Sequence, residues 1–322
     1  MQERIPVAQA ALIALDWGTS NLRASLIDAR GQPLEARSAA GGVMAVRNGA
    51  FSEALVALCG DWLLQHDCPL LASGMIGSRQ GWKEAPYLSC PAGISDSAGA
   101  LTAVAIAGIG AGATVPQRML HIVPGLQYAD SSGAYDVMRG EETQIWGAAL
   151  PAGSICVLPG THSKWAWLDG RGAIGQFRTF MTGELYGLLT QHGILGRLMV
   201  FGHDRRDDFV AGVRRGMAGH GQLSHAIFAA RTAGLMGQVE PQGLPDYLSG
   251  ILIGGEIAAV AHSVPQGARQ LAITLIGDDD LCARYELACD VAGLPTRRAA
   301  PGSTTAGQWM VARAAGLVPA ST

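Results

Sequence analysis

Apolar and polar positions follow two different periods along this chain. Short apolar runs rich in β-branched residues at 11–15, 22–28, 70–75, 121–123, 154–158, 164–168, 174–180 and 271–276 predict strands. Between them, apolar residues three and four apart predict helices at 51–65, 142–150, 183–191, 207–217, 223–232, 247–262, 281–292 and 305–315. Alternation of the two periods argues an α/β architecture. The charge-free stretch 98–115 is mostly Ala, Gly and Thr, too weakly apolar for a bilayer span, and reads as a small-residue helix followed by a glycine-rich turn.

The pattern also repeats. Ile13-Ala14-Leu15-Asp16-Trp17-Gly18-Thr19-Ser20-Asn21 leads into 22–28 and a turn at Ala29-Arg30-Gly31; Cys156-Val157-Leu158-Pro159-Gly160-Thr161-His162-Ser163 leads into 164–169 and Gly170-Arg171-Gly172. Each copy reads as strand, Gly-Thr turn, strand, turn, strand. Repetition at this scale predicts two related domains, each offering one tight loop. The expected boundary falls at 130/131, with Pro124-Gly125 and the polar stretch 128–133 as the linker.

A length of 322 residues suits two domains of roughly 150 residues each. With 48% hydrophobic and 15% charged residues, the chain must fold around substantial cores. A net charge of −3 provides no basic footprint for nucleic acid, so a small anion must be held by a local basic site. The six cysteines form no CxxC pair and read as reduced, packed thiols, with Cys282 and Cys289 on one buried helix face. The first residues lack a basic-then-apolar leader pattern, so a cytoplasmic protein with no membrane partner is expected, of a size compatible with a homodimer.

A glycine and hydroxyl turn lets backbone N–H groups approach a phosphate. Two such turns, at Gly18, Thr19, Ser20, Asn21 and at Gly160, Thr161, His162, Ser163, suit a triphosphate, with Lys164 beside the second; that lysine equally suits a half-exposed strand. Asp16, ending a strand, is placed to hold Mg²⁺, or merely to cap its turn. Transfer of a phosphoryl group to a hydroxyl would also need a carboxylate base, and Glu141 and then Glu142, opening a helix, are the candidates, with Asp136 as the alternative. Arg79 follows a strand end and glycine turn, where its guanidinium would grip a carboxylate, with Gln80, Trp82 and Lys83 on the same wall. In Gly277-Asp278-Asp279-Asp280 the acids read as helix capping, with Gly277 admitting a nucleoside; Gly254-Gly255-Glu256 reads as close helix packing.

These residues carry a resemblance. Asp16-Trp17-Gly18-Thr19-Ser20-Asn21-Leu22-Arg23 and Pro159-Gly160-Thr161-His162-Ser163-Lys164-Trp165 resemble the two phosphate loops of the actin and hexokinase superfamily, and 275–281 with 288–295 resemble its adenosine motif. The second loop has Pro159 where that superfamily often has an aspartate, which concentrates the metal role on Asp16. The strings 72–82, 136–144 and 181–185 are similar to the 2-dehydro-3-deoxygalactonokinase family. The resemblance implies two actin-like ATPase (ribonuclease H-like) domains with a cleft between them. It further implies ATP and Mg²⁺ as cofactors, Gly277 and Asp278 at adenosine, and transfer to the 6-hydroxyl of 2-dehydro-3-deoxy-D-galactonate. The rivals are a kinase of another sugar acid or polyol, and a non-catalytic nucleotide-dependent sugar sensor.

Overall fold

The computed structural model describes residues 9–110, 113–219, 221–261 and 272–319. The first eight residues, residue 262 of the predicted helix 247–262 and residue 271 of the predicted strand 271–276 lie outside the described residues. The chain divides into two compact units, one of Met1–Ala152, Leu168–Gln176 and Ala300–Thr322, the other of Gly153–Trp167 and Phe177–Ala299.

The first unit contains β1 (Ala10–Trp17), β2 (Leu22–Asp28), β3 (Pro33–Ala39), α1 (Phe51–Gln65), β4 (Leu70–Ser73), β5 (Leu88–Ser89), α2 (Ile94–Gly99), β6 (Thr102–Gly110), β7 (Ala113–Ile122), β8 (Leu126–Ala129), β9 (Tyr135–Met138) and α3 (Glu141–Gly147). The second contains β10 (Ile155–Leu158), β11 (Ser163–Leu168) up to Trp167, β12 (Ile174–Phe180) from Phe177 on, α4 (Thr182–Gln191), α5 (Arg206–Ala218), α6 (Leu223–Leu235), α7 (Leu244–Ala261), β13 (Ile273–Leu275), α8 (Asp279–Val291) and β14 (Thr296–Arg298). Then α9 (Ser303–Ala314) rejoins the first.

The internal echo becomes topology. One sheet runs β3-β2-β1-β4-β7-β6 and the other β12-β11-β10-β13-β14. In each, the strand before the Gly-Thr turn pairs antiparallel with the next strand and parallel with a later one, β4 or β13. This shared strand order is the ribonuclease H-like arrangement that the two phosphate-loop strings implied.

Each sheet buries a core of its own. Ile13, Leu15 and Trp17 of β1 pack with Leu55, Cys59 and Trp62 of α1. In the second unit, Val157, Trp165 and Ile257 pack with Tyr285 and with Cys282 and Cys289, which share the buried face of α8 as expected. All six cysteines are free thiols.

Three expectations are corrected. The stretch read as a small-residue helix before a glycine-rich turn is mostly strand: α2 ends at Gly99, and Thr102–Gly110 is β6, paired antiparallel with β7. Val104 and Ile106, two apart, face the core, so strand period outweighs the small-residue composition. The supposed linker around 128–133 is the β8–β9 hairpin, with Tyr128 opposite Asp136. The chain leaves the first unit at 152 rather than 130, because α3 packs on α9 within that unit.

Helix α7 is apolar and long enough to cross a membrane, but 72% of it is buried within the protein. Its glycines explain why. A Cβ on Gly250 would lie 2.2 Å from Phe209 O, and one on Gly254 2.3 Å from Val213 O. Gly212 and Gly216 of α5 make the reciprocal approach to Tyr247 O and Ile251 O. The two helices meet backbone to backbone, which is the close packing read from Gly254-Gly255.

Candidate active site

In the first unit, the end of β1 delivers Asp16. Strand alternation sends Trp17 into the core and Asp16 to the opposite face, with its side chain 23% exposed. Burial raises the Asp16 pKa, against the charge of Arg23, whose Nη1 is 3.3 Å from Asp16 Oδ2. The negative charge of Glu141 raises it further. The Glu141 carboxylate is thus near enough to act on Asp16.

Two glycines bring them together. Gly74, after β4, has φ +94°, and a Cβ there would lie 2.8 Å from Trp17 O and 3.5 Å from Asp16 Oδ1. Gly140, with φ +110°, would place a Cβ 3.1 Å from Gly74 Cα. Only residues without a side chain let the β1 end, the β4 end and the start of α3 stack so closely. The same sheet face carries α9, whose Gln308 donates from Nε2 to Leu15 O at 2.6 Å and to Ser73 Oγ at 2.9 Å. Asp16, Arg23, Thr304, Thr305 and Gln308 line a cleft of ≈ 380 Å³.

The neighbouring glutamates differ in kind. Glu141 is half-buried and accepts from Arg139 N–H at 2.9 Å. Glu142 is fully buried; it accepts from Gly140 N–H at 2.7 and 2.9 Å and from Thr143 Oγ1 at 3.1 Å, and desolvation lifts its pKa to about 7. Asp136 lies within β9.

The first glycine turn is braced from behind. Gly18 N–H donates to Asn21 O at 2.9 Å, while Gly42, Val43 and Met44 donate to Ser20 O, Gly18 O and Thr19 O. Thr19, Ser20 and Asn21 are exposed. A Cβ on Gly42 would lie 2.3 Å from Thr19 O, so that glycine is required for the brace and was not recognised in the sequence.

After β4, a loop carries the predicted substrate wall. The Arg79 side chain is 84% exposed and pairs with Glu84 at 3.1 Å. Gln80 accepts from Ser78 Oγ at 3.4 Å, and Lys83 donates to Ala103 O at 2.8 Å. Trp82 stacks on Phe51 at 6.0 Å between centroids and meets Trp17 edge-on, anchoring the loop to the core. Arg139, also unrecognised, is 8% exposed, donates to Ala85 O at 2.7 Å and lies over the Tyr87 ring at 4.3 Å. Its Nε and Nη1 are buried without a hydrogen-bond partner.

In the second unit, Gly160, Thr161 and His162 are accessible, while Ser163 and Lys164 are buried. A Cβ on Gly160 would meet nothing within 4 Å, so this turn is open at its glycine. Lys164 Nζ donates to His162 O at 3.1 Å, and His162 Nε2 bonds Glu184 Oε2. Strand β11 is buried at every position, so the half-exposed alternative for Lys164 does not hold. The start of α4 abuts the turn: Glu184 N–H donates to Thr161 O at 3.0 Å, and a Cβ on Gly183 would lie 2.6 Å from Gly160 O. Asp278 caps α8, accepting from Asp280 N–H at 3.0 Å and Leu281 N–H at 3.3 Å. Gly277, at φ +148°, lies beside Pro159.

Known proteins match this chain across nearly all of its length. The 2-keto-3-deoxy-galactonokinase family matches residues 16–311. The chain belongs to that family. The 2-dehydro-3-deoxygalactonokinase of Escherichia coli (strain K12) is 38% identical over 288 residues, covering 88% of this chain and 92% of that protein. A relative from Rhizobium meliloti (strain 1021) is 36% identical over 296 residues, covering 88% and 90%. A crystal structure from Sinorhizobium meliloti superposes with a TM-score of 0.82 at 34% identity, covering 94% of this chain and 98% of that one. Family membership makes the chain an ATP-using kinase, a phosphotransferase with an alcohol acceptor. The sensor alternative therefore falls away.

Proposed function

We infer that this kinase transfers the γ-phosphoryl group of ATP to the 6-hydroxyl of 2-dehydro-3-deoxy-D-galactonate, with Glu141 as the base. The observation that carries the assignment of roles is the convergence, at Gly74 and Gly140, of the β1 end that bears Asp16 and the α3 start that bears Glu141. Phosphoryl transfer needs a metal-holding carboxylate and a proton acceptor close together.

Among the described residues no group of three or more His, Cys, Asp or Glu side chains is placed to hold a metal ion. A single half-buried carboxylate fits Mg²⁺, which takes one or two protein carboxylates and fills its other positions with phosphate oxygens and water. Asp16 would hold it, and the ion would neutralise charge on the transferred group. Glu141 takes the proton from the attacking hydroxyl. Glu142, with both oxygens turned to Gly140 N–H, instead orders the helix start that presents Glu141. Arg79, tied only by an exposed ion pair of little stabilising value, is free to exchange Glu84 for the substrate carboxylate. Gln80 and Lys83 belong to the same loop, and Trp82 fixes its base. Each unit supplies one phosphate loop, Gly18–Asn21 and Gly160–Ser163, with Gly277 at the nucleoside. Such an enzyme acts in sugar-acid catabolism, and we place it in the cytoplasm.

The test is a coupled assay of ATP consumption with this sugar acid, other sugar acids and polyols, with the product's phosphate located by NMR. Glu141→Ala is expected to lower kcat by roughly 10²–10⁴-fold. Full turnover in Glu141→Ala would remove the base assignment, and preference for another acceptor would remove the substrate.

A further inference from the structure

The second unit contains a buried carboxylate that the phosphoryl-transfer scheme does not use. Glu256, on the apolar helix α7, is 3% exposed. Both of its oxygens are doubly bonded. Oε1 accepts from Ser163 Oγ at 2.6 Å and Trp165 Nε1 at 2.6 Å; Oε2 accepts from Thr182 Oγ1 and from Tyr285 OH at 2.9 Å. These four donors are uncharged. A carboxylate in an apolar helix is costly to desolvate, and four donors filling its lone pairs offset that cost only if all four stay in place.

Each donor belongs to an element that shapes the second phosphate loop. Ser163 ends the loop and Trp165 follows it on β11. Thr182 opens α4, whose next two residues press Gly183 on Gly160 O and bond Glu184 N–H to Thr161 O. Tyr285 lies on α8, which begins just after Gly277 beside Pro159. Thr182 and Tyr285 also line a cavity of ≈ 180 Å³ together with Gly160, Gly183 and Arg284. The carboxylate thus lies where the loop, the two helices and the cavity wall converge.

We propose that Glu256 is the positioning residue for ATP in this enzyme: it locks the second phosphate loop to the cavity beside it. This rests on reading Gly160–Ser163 as a phosphate loop. A hydrogen bond to a charged acceptor is among the stronger ones, so losing one donor should let the loop relax. Tyr285→Phe and Thr182→Val are expected to raise the KM for ATP about tenfold each, with the KM for the sugar acid and kcat at saturating ATP within about twofold. Glu256→Gln, whose amide nitrogen cannot accept two hydroxyl or indole donors, is expected to raise it by roughly a further tenfold.

Steady-state kinetics in both substrates, with melting temperatures of the same variants, decides the matter. A purely structural carboxylate would lower the melting temperature and leave the KM for ATP unchanged in Tyr285→Phe and Thr182→Val; that result overturns the proposal. If Glu256→Gln does not fold, those two single-donor variants still decide. Gly160→Val, whose Cβ would meet no neighbouring atom within 4 Å, separates the two levels. Should it leave the KM for ATP unchanged, the phosphate-loop reading fails and this inference with it. Should it raise that KM while Tyr285→Phe and Thr182→Val do not, the inference alone fails.

Discussion

Glu141 and Glu142 are adjacent and chemically identical, yet their surroundings separate them. Glu141 is half-buried at the start of α3, whereas Glu142 is sealed beneath Gly140. The separation is measurable through pH. Glu142 binds its proton at about pH 7 in the folded protein, against an ordinary glutamate value of 4.5. The native state therefore holds more protons than the unfolded one between these values. Its stabilising contribution is complete below pH 4.5 and is lost as pH rises through 7, by roughly 3 kcal/mol in all. Denaturant unfolding at pH 5 and pH 8 should show this loss in the native enzyme and a flatter profile in Glu142→Gln. Equal pH dependence in the two would show that Glu142 does not titrate in this range. Nothing in the order Glu141-Glu142 distinguishes buried from accessible, because a helix turns by 100° per residue and only the packing partner selects the inner face. Arg139 was hidden for the same reason: its burial against Tyr87 and Ala85 is made by residues 52 and 54 positions away. Glu256 did leave a trace, as a carboxylate inside a long apolar run.

Helix α3 presents the base, and α9 holds α3. A Cβ on Gly307 would lie 1.9 Å from Thr143 O, and one on Gly147 would lie 1.8 Å from Ser303 O. The two helices are in backbone contact, with no flexible side chain to yield. Gly307→Ala must push them apart and should destabilise the protein by about 3 kcal/mol, seen as a lower denaturation midpoint. Because α3 begins at Glu141, kcat should fall as well. An unchanged midpoint would mean the contact adjusts freely. All helices but α2 were legible from period, α1 to the residue and α3 to α9 within a few. Strands fared less evenly: β3 was foreseen only as the third strand of the repeated unit, and β5, β6, β8, β9 and β14 were not foreseen. Most are too short to show a period, or lie at sheet edges where little of the strand is buried.

Across the whole molecule, the end of the chain completes the unit that its beginning starts. Gln308, 1% exposed, satisfies Leu15 O from the far end of the sequence, and α9 covers the sheet face that carries Asp16. Truncation after Ala299 should therefore unfold the first unit despite leaving all its strands intact, giving an aggregated or protease-sensitive product. A soluble, protease-resistant truncated chain would show that α9 is dispensable. The sequence by itself determined the α/β class, the duplicated strand-turn-strand unit, both glycine turns and Asp16, because these depend on local period and on residues a few positions apart. The tertiary structure alone decided that Glu141 and Glu142 belong with the first unit, that Thr102–Gly110 is a strand, and that four hydroxyl and indole donors meet on Glu256. Those outcomes depend on contacts between residues tens to hundreds of positions apart, and on desolvation, which has no value until the chain has closed around the group.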